Sequence, residues 1–147
     1  MKRKEFLRSL GVGAAFALTF PCVQGCSKDD VPAGEIKPEP TNVDFTVDLS
    51  SSEAANLANE GGFILKNDVV VVKNLEGDFV AASQICSHQG YDQVRFQNVD
   101  GGIFYCDVHG SRFDQTGTPL NQVDGNPAKA LKVYMTEESN GILRIFE

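Results

Sequence analysis

Two short boxes hold both histidines of the chain and two of its four cysteines. The first reads Ile85-Cys86-Ser87-His88-Gln89-Gly90. The second reads Tyr105-Cys106-Asp107-Val108-His109-Gly110-Ser111-Arg112-Phe113-Asp114, with seventeen residues between His88 and Cys106. Independent placement would rarely set a cysteine within three residues of a histidine twice over, so buried free thiols beside incidental surface histidines is a poor account of the pattern. Each box supplies one thiol and one imidazole. Any fold that uses all four must therefore bring two separate loops to one place.

The residues around the boxes read as short strands. Asn42 to Leu49 alternates polar and apolar, the mark of a half-buried strand. Ser50-Ser51-Ser52-Glu53 suggests a capping box opening one or two helical turns across Ala54 to Asn59, stopped at Gly61-Gly62. Phe63 to Leu65, Val69 to Lys73 and Phe79 to Ser83 are β-rich runs punctuated by Asn67-Asp68 and Glu76-Gly77-Asp78. Val94 to Phe96 and Ile103 to Tyr105 flank Asp100-Gly101-Gly102. Leu131 to Met135 and Ile142 to Phe146 are joined through Ser139-Asn140-Gly141, a strong hairpin signal. So many short strands with one brief helix predict an all-β fold, a small antiparallel sandwich or barrel over residues 41–147.

Before residue 41 the character changes. Met1-Lys2-Arg3-Lys4 is basic, and Leu10 to Pro21 is apolar except for Thr19. That run is about a dozen residues against the roughly 20 needed to span a bilayer, so residues 1–25 read as an export signal and not a membrane helix. Val23-Gln24-Gly25-Cys26 resembles the lipobox of bacterial lipoproteins, which implies lipidation of Cys26 and loss of the preceding residues. Cys22 is the weaker candidate because Pro21 sits at its cleavage position. Lys28-Asp29-Asp30 is similar to the acidic tags of surface lipoproteins in Bacteroidetes. Arg3-Lys4-Glu5-Phe6-Leu7-Arg8 resembles a twin-arginine export motif with lysine in the second place; ordinary Sec export is the alternative. Residues 26–40 carry Pro32, Pro38 and Pro40 with no apolar period and read as an extended, solvated linker. From Cys26 onward there are nine basic and nineteen acidic residues, a net charge of −10, which excludes non-specific nucleic-acid binding.

The chemistry of the two boxes leaves two metal sites to weigh. Two thiolates and two imidazoles suit tetrahedral zinc, although zinc sites usually keep like with like along the chain. One of each from each loop is the arrangement a binuclear iron centre needs, with both thiolates on one iron and both imidazoles on the other.

Cys-x-His, seventeen residues, then Cys-x-x-His-Gly-Ser resembles the two cluster-binding boxes of Rieske [2Fe–2S] proteins. Gly125-Asn126-Pro127-Ala128-Lys129-Ala130-Leu131-Lys132-Val133-Tyr134 is similar to that family's third, proline-bearing loop and the strand after it, with Pro127 shielding the cluster. The resemblance implies an all-β fold with a cluster-binding subdomain of two loops. It implies one [2Fe–2S] cluster, with Cys86 and Cys106 on the buried iron and His88 and His109 on the outer one. Imidazole ligation places such centres at roughly −150 to +300 mV, above all-cysteine ferredoxins, and leaves each ring a second nitrogen that can carry a proton. Quinol-oxidising members add two disulfide-bonded cysteines; Tyr91 and Val108 stand at those positions here, as in the disulfide-free ferredoxins. Ser111 stands where high-potential members donate a hydroxyl to a bridging sulfide, and Phe113 where they place a tyrosine. One donor kept and one lost predicts an intermediate potential, with Asp92, Asp107 and Asp114 lowering it further.

The expectation is an exported, lipid-anchored one-electron carrier, or the small subunit of a larger oxidoreductase, working with a redox partner protein at the cell envelope on the periplasmic or outer-membrane side. With both histidines committed, no catalytic residue is assigned. The alternatives are a zinc-stabilised lipoprotein binding module and a ferredoxin feeding a ring-hydroxylating oxygenase.

Overall fold

In the computed structural model, residues 34–125 and 127–147 are described. The signal sequence, Cys26 and the first part of the predicted linker lie outside them. Nine strands follow one another: β1 (Asp44–Asp48), β2 (Phe63–Lys66), β3 (Val69–Lys73), β4 (Phe79–Ser83), β5 (Val94–Gln97), β6 (Ile103–Cys106), β7 (Arg112–Phe113), β8 (Val133–Ser139) and β9 (Ile142–Phe146). All pairings are antiparallel. They form a six-stranded sheet in the order β1-β9-β8-β4-β3-β2 and a three-stranded sheet in the order β5-β6-β7. The all-β architecture read from the sequence is the one observed.

The run Val69-Val70-Val71-Val72 explains how the two sheets share one wall. All four residues are fully buried. Alternate side chains leave a strand on opposite faces. Val69 and Val71 join Val47, Leu57, Leu143 and Ile145 in one core. Val70 and Val72 face a second core with Val94, Phe96, Phe104 and Phe113. A strand buried on both sides has no polar face to alternate with, hence its continuous apolar sequence. The second core also contains Cys86 and Cys106, so the small sheet is packed where it holds both boxes.

Turn chemistry sets the hairpins. Asn67 and Asp68 have φ of 52° and 58°, and Asn140 and Gly141 have φ of 52° and 78°, the paired positive values of the two-residue turn whose twist matches the strands.

Two expectations change, and one strand had not been foreseen. Ser52–Ala58 is a 3₁₀ helix, and its N-cap Ser51 makes no capping bond. Its hydroxyl instead donates back to the Asp48 carbonyl at 2.6 Å, so the predicted capping box does not form. Strand β7 has only two residues and no pattern of its own; it exists because β6 offers Phe104 and Tyr105 as partners. The end of the predicted linker is not free. Ile36 bridges to Tyr91, and the Pro40 carbonyl accepts from Lys132 Nζ and the Tyr134 hydroxyl, each at 3.1 Å.

Candidate metal centre

The two boxes close in the same way. The first occupies the connection from β4 to β5, the second that from β6 to β7. In the first, Gly90 N–H donates to the Cys86 carbonyl at 2.8 Å and Cys86 N–H donates to the Tyr91 carbonyl at 2.8 Å. In the second, Gly110 N–H donates to the Cys106 carbonyl and Cys106 N–H to the Ser111 carbonyl, both at 2.9 Å. The glycine four residues after each cysteine has φ of +74° or +76°, a left-handed turn that costs little without a Cβ. Their equal spacing was a signal not used from the sequence: each box is a cysteine, a histidine and a turn glycine at fixed reach.

This closure aims backbone N–H groups at sulfur. Those of His88 and Gln89 point at the Cys86 thiol, those of Val108 and His109 at the Cys106 thiol. Donors of this kind favour the thiolate. The two thiols also hydrogen-bond each other deep in the core, at 2% and 0% exposure. The pair therefore gives up its first proton readily, Cys86 being lowered to about 6 mainly by the Cys106 thiol. The second is held tightly: Cys106 is pushed up by its hydrogen bond to Cys86 and by burial. Both cysteines are free of disulfides.

The imidazoles pair with each other further out. His88 and His109 meet edge to face with ring centroids 4.9 Å apart, and both are half-buried. The Tyr91 ring packs on His109 at 5.5 Å. Among the described residues, no three His, Cys, Asp or Glu side chains converge closely enough to hold one metal ion. The donors come as a sulfur pair and a nitrogen pair, which is the layout for two metal atoms.

Buried polar atoms without partners test whether a group belongs here. Both ring nitrogens of His88, Nδ1 of His109 and Oγ of Ser111 are buried and make no hydrogen bond. Each such atom costs about 1–3 kcal/mol if left unpartnered. All four lie in this one place, so the residues fit a bound group that gives them partners. Asp124 Oδ2 is 3.2 Å from His88 Nε2 but outside hydrogen-bond alignment. The Ser111 hydroxyl likewise lowers the Cys86 thiol without forming a bond of normal geometry.

A cavity of about 380 Å³ opens beside His88, with Ser111, Phe113, Asn121, Val123 and Pro127 among its lining residues. Pro127 is exposed and lies at the edge of this cavity, and Ser87 Oγ ties its loop to the first box by donating to the Lys129 carbonyl at 2.9 Å. Asn121 was not anticipated from the sequence. Its Oδ1 accepts Arg112 N–H at 2.7 Å and its Nδ2 donates to the Gly110 carbonyl at 2.8 Å, bracing the second box.

Two of the three acids expected to act on the site have other work. Asp92 accepts from Glu35 N–H at 2.8 Å and faces Lys37 Nζ at 3.3 Å. Burial raises its pKa, but Gln93 and Lys37 outweigh that and hold it low. Asp114 is lowered mainly by the Thr116 hydroxyl, against partial burial, and closes its own turn by accepting from Thr116 and Thr118. Asp107 alone is simply exposed.

Comparison with known proteins agrees with this geometry. The family model for the Rieske [2Fe-2S] domain matches residues 44–135. The cytochrome b6-f complex iron-sulfur subunit of Chlorobaculum thiosulfatiphilum is 30% identical over 142 residues, covering 94% of this chain and 73% of that one. The large subunit of 2-halobenzoate 1,2-dioxygenase from Burkholderia cepacia is 27% identical over 95 residues, 62% of this chain and only 20% of that subunit. This chain therefore spans about a fifth of that relative's length. Among solved structures, the reduced complex between oxygenase and ferredoxin in carbazole 1,9a-dioxygenase superposes with a TM-score of 0.53 at 19% identity, over 71% of this chain and 28% of that one, a likeness of fold.

Proposed function

Because the chain belongs to the Rieske [2Fe–2S] domain family and is an electron-transfer domain of that kind, we propose that Cys86 and Cys106 hold the inner iron of its cluster and His88 and His109 the outer one. The observation that carries this assignment is the separation of donors in two like-folded loops. The thiols are fully buried and paired, while the imidazoles are paired with each other and partly buried, His88 at 12% side-chain exposure. When bound, the cluster accepts and returns one electron. The chain's own residues do the rest. Backbone N–H groups of both boxes stabilise negative charge on the sulfurs. Nδ1 is the buried, unpartnered nitrogen common to both rings, so it is the atom offered to iron. The ring edges left outside form the exit for the electron, and the second core keeps water from the sulfur side.

The carrier works at the cell envelope, joined to lipid through Cys26 and a short tether, and exchanges single electrons with a larger redox protein. Residues 1–26 support the anchoring, through their basic start, short apolar run and lipobox. Two or three acyl chains suffice for stable attachment where one would not.

The reading is tested on purified full-length protein. Iron and acid-labile sulfide at two atoms each per chain, as the cluster's formula requires, with a His-ligated [2Fe–2S] EPR signal after reduction, is the expected result. A colourless protein rich in zinc would overturn it in favour of the binding module. Cys26→Ala should release the protein from the membrane fraction with its cluster intact; an unchanged distribution would refute the lipid anchor.

A further inference from the structure

The strap that precedes β1 is seated on the first box. Lys37 N–H donates to the Gly90 carbonyl at 2.8 Å, and Asp92 N–H donates to the Glu35 carbonyl at 3.0 Å, a two-bond antiparallel bridge centred on Ile36 and Tyr91. The Glu35 N–H adds a third bond, to Asp92 Oδ1 at 2.8 Å. The seat is close: a Cβ on Gly90 would lie 3.1 Å from the Lys37 carbonyl oxygen, and one on Gly34 would lie 2.3 Å from Gln93 Cγ. Lys37 Nζ then reaches both Asp68, at the turn between β2 and β3, and Asp92, each at 3.3 Å. One ammonium thus clips strap, sheet and box together.

Tyr91 makes this seat matter to the metal centre. Its backbone carries the bridge to Ile36, its carbonyl accepts the Cys86 N–H, and its ring packs on His109. A shift of the strap therefore reaches a thiol of one box and an imidazole of the other through a single residue. On the reading of these residues as cluster ligands, we propose that Gly34–Lys37 is a positioning strap of the cluster site, with Lys37 its clip, and that it holds Tyr91 so that the first and second boxes keep their mutual geometry. Sequence charge and proline content mark residues 26–40 as a spacer. Its last residues do a second task, and the tether joins the domain at the cluster end.

The test compares the full-length holoprotein with Lys37→Met, which removes the ammonium, Lys37→Pro, which also removes the N–H donor, and Lys37→Arg, which keeps both. Lys66→Met is the control, since it breaks a similar exposed ion pair with Glu53 at 2.9 Å away from the boxes. Loss of visible colour under an iron chelator should run about fivefold faster in Lys37→Met and faster still in Lys37→Pro, the factor that modest loss of local stability gives to an opening-limited rate. The EPR line shape should change in those two and return in Lys37→Arg. Chelation rates and spectra in Lys37→Met and Lys37→Pro equal to those of the parent and Lys66→Met would overturn the strap. If Lys37→Pro fails to fold, Lys37→Met decides alone. A parent that holds no cluster would count against the functional reading itself, whereas a cluster-bearing parent with unaffected variants would count against the strap only.

Discussion

Ser111 is 5% exposed and its hydroxyl sits beside the Cys86 sulfur with no other partner. A donor to sulfur favours the more negative, reduced state, so Ser111→Ala should lower the midpoint potential. A charge-assisted bond changing by about 1.4 kcal/mol between oxidation states corresponds to about 60 mV for one electron. Phe113 lies in the core that holds both cysteines, with nothing polar to offer. Phe113→Tyr should raise the potential if its hydroxyl reaches a sulfur; redox titration followed by EPR reads both variants. A rise in Ser111→Ala, or no change, would show that the hydroxyl does not act on the sulfurs. The gathering of two cysteines and two histidines in one place was legible in the sequence because histidine is scarce and both copies sit beside cysteines. What the sequence could not show for Asp92 and Asp114 was their partners: proximity along the chain says nothing of where a carboxylate turns, and theirs turn to backbone N–H groups and to Lys37.

At the scale of elements, what could be read was whatever repeats locally. Alternation along β1, the four-valine run of β3 and the Asn-Gly turn before β9 each announced themselves. What escaped was structure made by a distant partner: β7, two residues paired to β6, and the strap, a single bridge with no period to display. The loop after β7 shows how tightly such segments are fixed. Gly117 has φ of +84°, and a Cβ there would stand 2.2 Å from the Leu131 carbonyl oxygen, whose chain also donates to Gly117 through Leu131 N–H at 2.9 Å. Gly117→Ala should cost about 2 kcal/mol or more, since strain and backbone clash add. Urea denaturation checks this; a loss under half that size would mean the loop yields. In the sheet core, Leu143→Ala should cost about 2–5 kcal/mol, because Leu143 is fully buried and its loss leaves a cavity among Val47, Leu57 and Val69.

Across the whole molecule the excess of acid sets the response to pH. Asp44, Asp48, Asp92, Asp114 and Glu147 all lie below their ordinary values, through Arg144, Ser50, Gln93 with Lys37, Thr116 and Lys132 respectively. Each is therefore more acidic folded than unfolded, and the folded chain binds fewer protons. Their contribution is fully present above about pH 4 to 5, the unfolded carboxylate range, and is lost as the pH falls through the lowered values. Through these carboxylates, urea midpoints should decline as the pH falls below about 5. Stability that rose on acidification would contradict this. Salt should weaken the effect, as these pairs are largely exposed.

The pairing of β1 with β9 joins the first strand to the last, with Arg144 clasping Asp44 across a hundred residues of chain. A ribosome makes Asp44 early and Arg144 late. The large sheet therefore cannot close until the final strand has emerged, and contacts this far apart in sequence are slow to form. Both cysteine boxes are synthesised well before that moment. For that interval the second core, all but Leu131 of whose buried residues are made by Phe113, must shelter the two thiols while the large sheet is still open.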